Sequence, residues 1–391
     1  MKGILLIISI SIFNLHLLAQ ESVDQVLAEI EKNNSTLEAW RKSVEAEKIG
    51  NRTDIYLQNP EANFNYLWGN PSAIGNRNDF SILQTFDFPT AYGYKSQIAE
   101  IKNEQSAFDY QRHWMDIRFQ TQTVCFDLIY TNALLAELSK RLGHAQSIEK
   151  SFRLKLEKGD ANILDYNKSK LNLLNVTREM ESLNIGRDEL LAQLKSLNGG
   201  KTVDFNLMEF PIPDLPVDFE QWFVLAEQKN PTLCWLKKEM ELSQKQTKLS
   251  QAMSLPKLNA GYMSESVVGE QFQGVSVGLS IPVWENRNKV KYAKAKALAI
   301  ESKVADGSLQ FHNHLKALHT KTVALQKQVN EYRASLKALD NSELAKKALD
   351  FGEISLINYM AEFSLYYESI NKLLELEREM NKLNAQLIQY Q

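Results

Sequence analysis

The chain has 391 residues and a formal net charge of −3, from 45 Lys and Arg against 48 Asp and Glu. That length suffices for two or three ordinary domains, and the charge balance leaves no footprint for nucleic acid as a partner. No glycine-rich phosphate loop, convergent nucleophile and base, or metal-ligand spacing argues for an enzyme, so no catalytic, cofactor-binding or resident metal residues are expected.

Residues 1–19 read as a secretory signal: Lys2, an apolar run from Ile4 to Leu18, and a small residue at Ala19, with Gln20 the first mature residue. No cysteine follows the run to take a lipid. Beyond residue 19 no run of 18 or more apolar residues occurs. This argues against membrane-spanning helices but not against a β-barrel, whose signal per strand is far weaker.

Residues 22–58 read as helix, with Val23, Val26, Leu27 and Ile30 on one face, ended by Pro60. Two alternating segments follow. In 61–68, Ala62, Phe64, Tyr66 and Trp68 oppose Asn63 and Asn65; in 80–88, Phe80, Ile82, Phe86 and Phe88 oppose Ser81, Thr85 and Asp87. A Gly/Pro/Asn loop separates them, which gives strand, loop, strand. Residues 91–157 then run without proline as one very long helix. Gly159 turns the chain, and a second helix returns over 162–197. Cys125 lies on the long helix, and neither it nor Cys234 has an equivalent in the other half, so both read as isolated thiols on apolar faces. Gly199-Gly200 closes this unit, and Pro211, Pro213 and Pro216 mark an extended linker over 199–217.

Residues 218–391 repeat the order of 20–198. Asn34-Ser-Thr-Leu37 recurs 196 positions on as Asn230-Pro-Thr-Leu233, and Pro60, Asn63 and Tyr66 recur as Pro256, Asn259 and Tyr262. Leu156, Gly159 and Tyr166 recur 193 positions on as Leu349, Gly352 and Tyr359. A repeat of this length is a duplicated fold unit, not a solenoid. Its strands are expected at 257–264 and 274–283, where Val275, Val277, Leu279, Ile281 and Val283 alternate with small residues. Its long helices are expected at 286–350 and 355–390. The histidines His312, His314 and His319 share one helix, and at most His312 and His319 share a face; two ligands fall short of a closed metal site.

The expected fold is therefore mainly α with a small β part. Four strands in one chain cannot close a barrel, and lipid does not tolerate open edges, so several copies must share one. Two, three or four copies would give eight, twelve or sixteen strands. The helices form long antiparallel rods continuous with that barrel. Trp68, Phe88 and Trp284 are candidates for interfacial aromatics.

Three local patterns carry a resemblance. Phe80-Ser-Ile-Leu-Gln-Thr-Phe-Asp-Phe-Pro89-Thr-Ala-Tyr-Gly93 and Val275-Ser-Val-Gly-Leu-Ser-Ile-Pro282-Val-Trp284 resemble the strand-to-helix junctions of the TolC-type outer-membrane efflux channel family, the first in its heavy-metal (CusC/CzcC-like) branch. Leu156-Glu-Lys-Gly159-Asp-Ala-Asn-Ile-Leu-Asp165-Tyr166 and Leu349-Asp-Phe-Gly352-Glu-Ile-Ser-Leu-Ile-Asn358-Tyr359 resemble its helix-turn-helix tips.

The resemblance implies a homotrimer, a twelve-stranded barrel in outer-membrane lipid, and a helical tunnel in the periplasm. It implies passive conduction, with a periplasmic adaptor and an inner-membrane RND pump as partners and heavy-metal cations as cargo, with drugs or other small molecules as the alternative. It nominates Gly159, Asp160, Asp165, Tyr166, Gly352, Glu353, Asn358 and Tyr359 for adaptor docking. The family's tunnel-mouth aspartate is matched here by Asn358, which leaves Asp165 and Glu362 as candidate mouth carboxylates. The alternative is a periplasmic adaptor or coiled-coil scaffold, which normally carries a single hairpin flanked by compact β-rich domains.

Overall fold

The computed structural model describes residues 23–284, 286–339 and 342–390, so the expected signal at 1–19 lies outside the described residues. Helices dominate, with one four-stranded antiparallel sheet. The chain forms two compact units, and both sequence repeats contribute to each. One unit comprises 23–38, His113–Ala226 and the residues from His312 on; the other comprises Ala39–Arg112 and Glu227–Phe311.

The first helical segment differs from the single helix expected over 22–58. Helix α1 covers 23–33, α2 covers Ser35–Gly50, and a short 3-10 turn follows at Thr53–Ile55. Asn34 makes the break. Its side-chain oxygen accepts from the Leu37 N–H at 2.9 Å, as an N-cap does, and its amide donates to the Leu197 carbonyl at 2.8 Å. The second repeat breaks at the matching residue. Helix α5 spans Phe219–Lys229 and α6 spans Pro231–Ala252, with the Asn230 side chain accepting from Thr232 and Leu233 and Pro231 opening the helix.

Helix α3 (Pro89–Lys158) runs 70 residues without interruption and α4 (Ile163–Leu197) returns from it. Of the helix expected at 286–350, α7 covers Lys289–Ala338 and α8 covers Ser342–Asp350, while 340 and 341 lie outside the described residues. Helix α9 spans Leu356–Ile388. In the first unit α3 buries residues three or four apart, Cys125, Leu128, Thr131, Leu134, Leu138 and Arg141, the spacing that keeps one stripe of a helix facing its neighbours. The stripe meets Ile30, Leu194 and Ala385 in one core.

The segment at 199–217 has no helix or strand, as a linker should, yet it is tied down. Phe205 is fully buried in that core, flanked by Val203, Leu207 and Phe210. The Asn132 amide donates to the Leu207 carbonyl at 2.9 Å, and Arg187 donates to the Asn132 oxygen at 2.7 Å and the Asn206 oxygen at 3.0 Å. These side chains satisfy backbone groups that a ladder would otherwise satisfy.

In the second unit the strands are β1 (Glu61–Leu67), β2 (Arg77–Phe86), β3 (Lys257–Val267) and β4 (Glu270–Ser280), paired in that order. The β2–β3 pair joins the two repeats, and β1 and β4 are the edges. Strand β2 starts three residues before the expected Phe80, because Arg77 and Asn78 pair with Leu67 and Tyr66. It stops at Phe86, short of the expected 88, where Asp87 turns inward to Lys95 Nζ at 2.8 Å and its N–H donates to the Tyr92 hydroxyl at 3.0 Å. Strand β3 runs on past the expected 264 to Val267 and β4 begins before the expected 274 at Glu270, so that they meet in a two-residue turn. Val268 (φ 49) and Gly269 (φ 91) both adopt positive φ there, the backbone that matches the twist of a tight hairpin. Strand β4 ends at Ser280, so Ile281 and Val283 lie beyond it, next to Pro282.

Candidate functional sites: a two-faced sheet and two helical tips

Directly paired residues of an antiparallel sheet point to the same side, so the register sorts all four strands at once. One face carries five rows: Phe86-Leu258-Leu279; Gln84-Ala260-Val277; Ala62-Ile82-Tyr262-Val275; Phe64-Phe80-Ser264-Gln273; and Tyr66-Asn78-Ser266-Gln271. No charged residue falls on this face. All six charges of the strands, Glu61, Arg77, Asp79, Lys257, Glu265 and Glu270, fall on the other.

The charged face is internally bonded: Arg77 reaches Asp79 at 2.7 Å and Glu265 at 3.2 Å, and the Thr85 hydroxyl donates to Asn259 at 2.8 Å. The uncharged face is mostly apolar, with polar Asn78, Ser264, Ser266, Gln271 and Gln273 gathered toward its loop end, and much of it is exposed. Val275 is 86% exposed, Val277 81% and Phe64 67%. Gln84, the polar residue among its first three rows, turns its amide to the Gln58 carbonyl at 2.7 Å. A contiguous exposed apolar face marks a surface that something else covers. Trp68 and Trp284 are also about four-fifths exposed, at 79% and 80%, while Phe88 is half-buried. Among the described residues no helix is long and apolar enough to cross a membrane.

The tips belong to the first unit and share the same pair of backbone bonds. Gly159 N–H donates to the Leu156 carbonyl and Asp160 N–H to Lys155; Gly352 N–H donates to Leu349 and Glu353 N–H to Ala348. This is the Schellman pattern. It requires a left-handed residue, and both glycines supply one, at φ 81 and φ 76. Three residues on, Asn162 and Ser355 cap the returning helices by accepting from the Asp165 and Asn358 N–H groups at 2.9 and 3.3 Å.

One cluster underlies both turns: Phe152 and Ala161 from the first, Leu349, Leu356, Tyr359 and Phe363 from the second. Of the nominated residues, Gly159, Asp160, Gly352, Glu353 and Asn358 are exposed and Asp165 and Tyr166 are half-buried. Tyr359 is 3% exposed, its ring tilted against that of Phe363 with centroids 4.4 Å apart, so its ring is tip core and burial pushes its hydroxyl pKa up to about 12. Asp165 accepts from the Asn162 amide at 2.8 Å and pairs with Lys168 at 3.5 Å. Glu362 is exposed and borders a groove of about 270 Å³ with Leu336, Leu365 and Tyr366.

Two polar clusters of this unit went unread in the sequence. The buried Arg141 donates to Asn371 Oδ1 at 2.7 Å and the Tyr367 carbonyl at 3.3 Å, with its guanidinium 4.2 Å above the Tyr367 ring. Desolvation lowers its pKa. His144 meets the Tyr367 hydroxyl at 3.2 Å, and desolvation followed by the charge of Lys346 lowers its pKa. The second cluster explains the histidine pair. His312 and His319 do share a face, but both rings pack on Phe219, at 5.5 and 5.4 Å, and their Nε2 atoms meet Glu220 and the Pro216 carbonyl. A spacing of seven was the available signal; the aromatic partner lay about a hundred residues away. Among the described residues no three His, Cys, Asp or Glu side chains stand ready to hold a metal ion.

No protein-family model matches this sequence, and no curated protein does either. Solved structures do match. The outer-membrane channel OprN superposes with a TM-score of 0.79 at 11% identity, over 95% of this chain and 89% of that one. The CmeC outer membrane channel of Campylobacter jejuni gives 0.76 at 15% identity, over 95% and 85%. CusC, whose structures concern folding and transmembrane channel formation, gives 0.76 at 13%, over 93% and 91%. The chain has the fold of these outer-membrane channels, mostly helical with a four-stranded antiparallel sheet, as the TolC-type resemblance implied.

Proposed function

We propose that the chain is one protomer of a homotrimeric outer-membrane efflux channel, which passively conducts cargo delivered by a periplasmic adaptor and an inner-membrane RND-type pump. The observation that carries this reading is the sheet: four strands, two unpaired edges, one uncharged apolar face and one charged face. Unpaired edge groups cost several kcal/mol each in lipid, so such a sheet is stable there only when copies join edge to edge. Three copies give twelve strands, within the even-numbered range of outer-membrane barrels. The apolar face then meets lipid and the charged face meets the lumen.

The paired tips at Gly159 and Gly352 are the docking points for the adaptor. Their exposed turn backbones and side chains do the docking, while Tyr359 supports them from beneath. Asp165 and Glu362 are the candidate tunnel-mouth carboxylates. Heavy-metal cations are the proposed cargo, on the strength of the Gln84–Pro89 junction alone.

The test is fractionation of the native membrane followed by electrophoresis of the detergent-extracted protein without heating. A heat-dissociable trimer in the outer-membrane fraction supports the reading. A soluble monomer removes it. Deleting the gene should then raise sensitivity to copper, silver, zinc or cobalt; sensitivity to dyes and detergents alone would overturn the cargo while leaving the channel.

A further inference from the structure

The apolar surface of the sheet has a slanted border. In the row Phe64-Phe80-Ser264-Gln273, the first two strands carry aromatics and the last two carry a hydroxyl and an amide. On this face, the last apolar residue before the loop end is Tyr66 on β1, Phe80 on β2, Tyr262 on β3 and Val275 on β4. Across the sheet the border therefore retreats two rows, which is four residues along the strand. At ~3.4 Å per residue that is about 14 Å, and three strand spacings of ~4.8 Å also make about 14 Å. The border crosses the strands at roughly 45°, close to the 35–45° by which barrel strands tilt in a membrane.

The polar side of the border is built as a surface for water. The Gln271 amide donates to the Ser264 hydroxyl at 3.1 Å, and the Tyr262 hydroxyl donates to the Gln273 oxygen at 2.8 Å. At the far corner the Tyr66 hydroxyl accepts from the Asn76 amide at 2.7 Å, so its ring is apolar below and polar above, the arrangement of an interfacial aromatic.

We propose that this oblique line is the outer edge of the hydrocarbon layer: acyl chains cover Phe64, Phe80, Val275 and Val277, while Ser264 and Gln273, in the same row as Phe64 and Phe80, stand clear of it. The proposal rests on the channel reading and adds the depth at which each residue of that face sits.

The test uses the full-length trimer in liposomes. Cys234 is replaced by Ser. Cys125 is retained, because it is fully buried and burial raises its thiol pKa to about 12, which keeps it unlabelled at neutral pH. Single variants Phe64→Cys, Phe80→Cys, Ser264→Cys, Gln273→Cys and Val277→Cys each carry a fluorescent maleimide. Quenching is read with nitroxide-labelled acyl chains and with aqueous iodide.

Lipid quenching severalfold stronger at Phe64, Phe80 and Val277 than at Ser264 and Gln273, with the reverse order for iodide, supports the proposal. Equal lipid quenching along the whole row overturns it and leaves the barrel intact. Absence of lipid quenching at Val277 overturns the channel reading itself. Should one aromatic replacement fail to assemble, the other of Phe64→Cys and Phe80→Cys supplies the same comparison.

Discussion

Tyr166 and Tyr359 hold equivalent places in the duplicated unit, yet the first is half-buried and the second lies in the tip core against Phe363. Which copy of a repeated side chain turns inward depends on neighbours far away in sequence, so the repeat marks the position without assigning its role. His144 carries a testable consequence of such neighbours. It sits between the Tyr367 hydroxyl and the Phe363 ring, with Lys346 close enough to disfavour its charged form and the buried Arg141 one turn away. Its folded pKa lies below the ordinary 6.5. The unfolded chain therefore binds the proton first, and the contribution of neutral His144 is complete above about pH 6.5 and lost as pH falls through the depressed value. Amide protection of α9 around Tyr367 should drop between pH 7.5 and pH 5. His144→Gln, which keeps a hydrogen-bonding group but does not titrate, should remove that drop; an unchanged acid response in the variant would mean another group causes it.

At the scale of elements, the duplicated Asn-Ser/Pro-Thr-Leu signal identifies the repeat, and the structure shows that its chemistry is a helix break. Ile30 and Leu37, seven residues or about two helical turns apart, still fall on one face across Asn34, so periodicity alone reads one helix where two meet. The two asparagines differ in a measurable way. Asn230 uses its oxygen as a cap, a task Asp performs as well. Asn34 also donates its amide to the Leu197 carbonyl, tying α2 to the end of α4. Asn34→Asp should lower stability by about 1–3 kcal/mol, since it leaves a buried carbonyl facing a carboxylate. Asn230→Asp should cost less than ~1 kcal/mol. Urea midpoints of the extracted protein distinguish them, and equal losses would mean that capping is the whole function of both. The strands are legible where alternation is apolar and not where it is polar: Glu265-Ser266-Val267 and Glu270 to Gln273 fall outside the expected strands, and only pairing across the turn at Val268-Gly269 reveals them as strand.

At the scale of the whole molecule, alternation labels two faces on each strand but cannot say which face of β1 continues into which face of β4. That assignment needs register, because a one-residue slip moves every side chain of a strand to the opposite side. With the register in hand, the six strand charges collect on one face, and the difference between faces becomes a prediction about assembly. Val277 lies centrally in the apolar zone of β4, and Ser276, its neighbour, points to the charged side next to Gly261. An arginine on a lipid-facing strand costs about 2–4 kcal/mol at the bilayer midplane, and the lumen side carries no such cost. Because three copies share one barrel in this reading, Val277→Arg imposes that cost three times on each assembly. Val277→Arg should therefore abolish the heat-dissociable trimer in the outer membrane, while Ser276→Arg should leave its yield near that of the unmodified protein. Equal loss from both would mean that the strands do not separate lipid from lumen. Loss from Ser276→Arg alone would mean that the charged face, not the apolar one, is the face that packs.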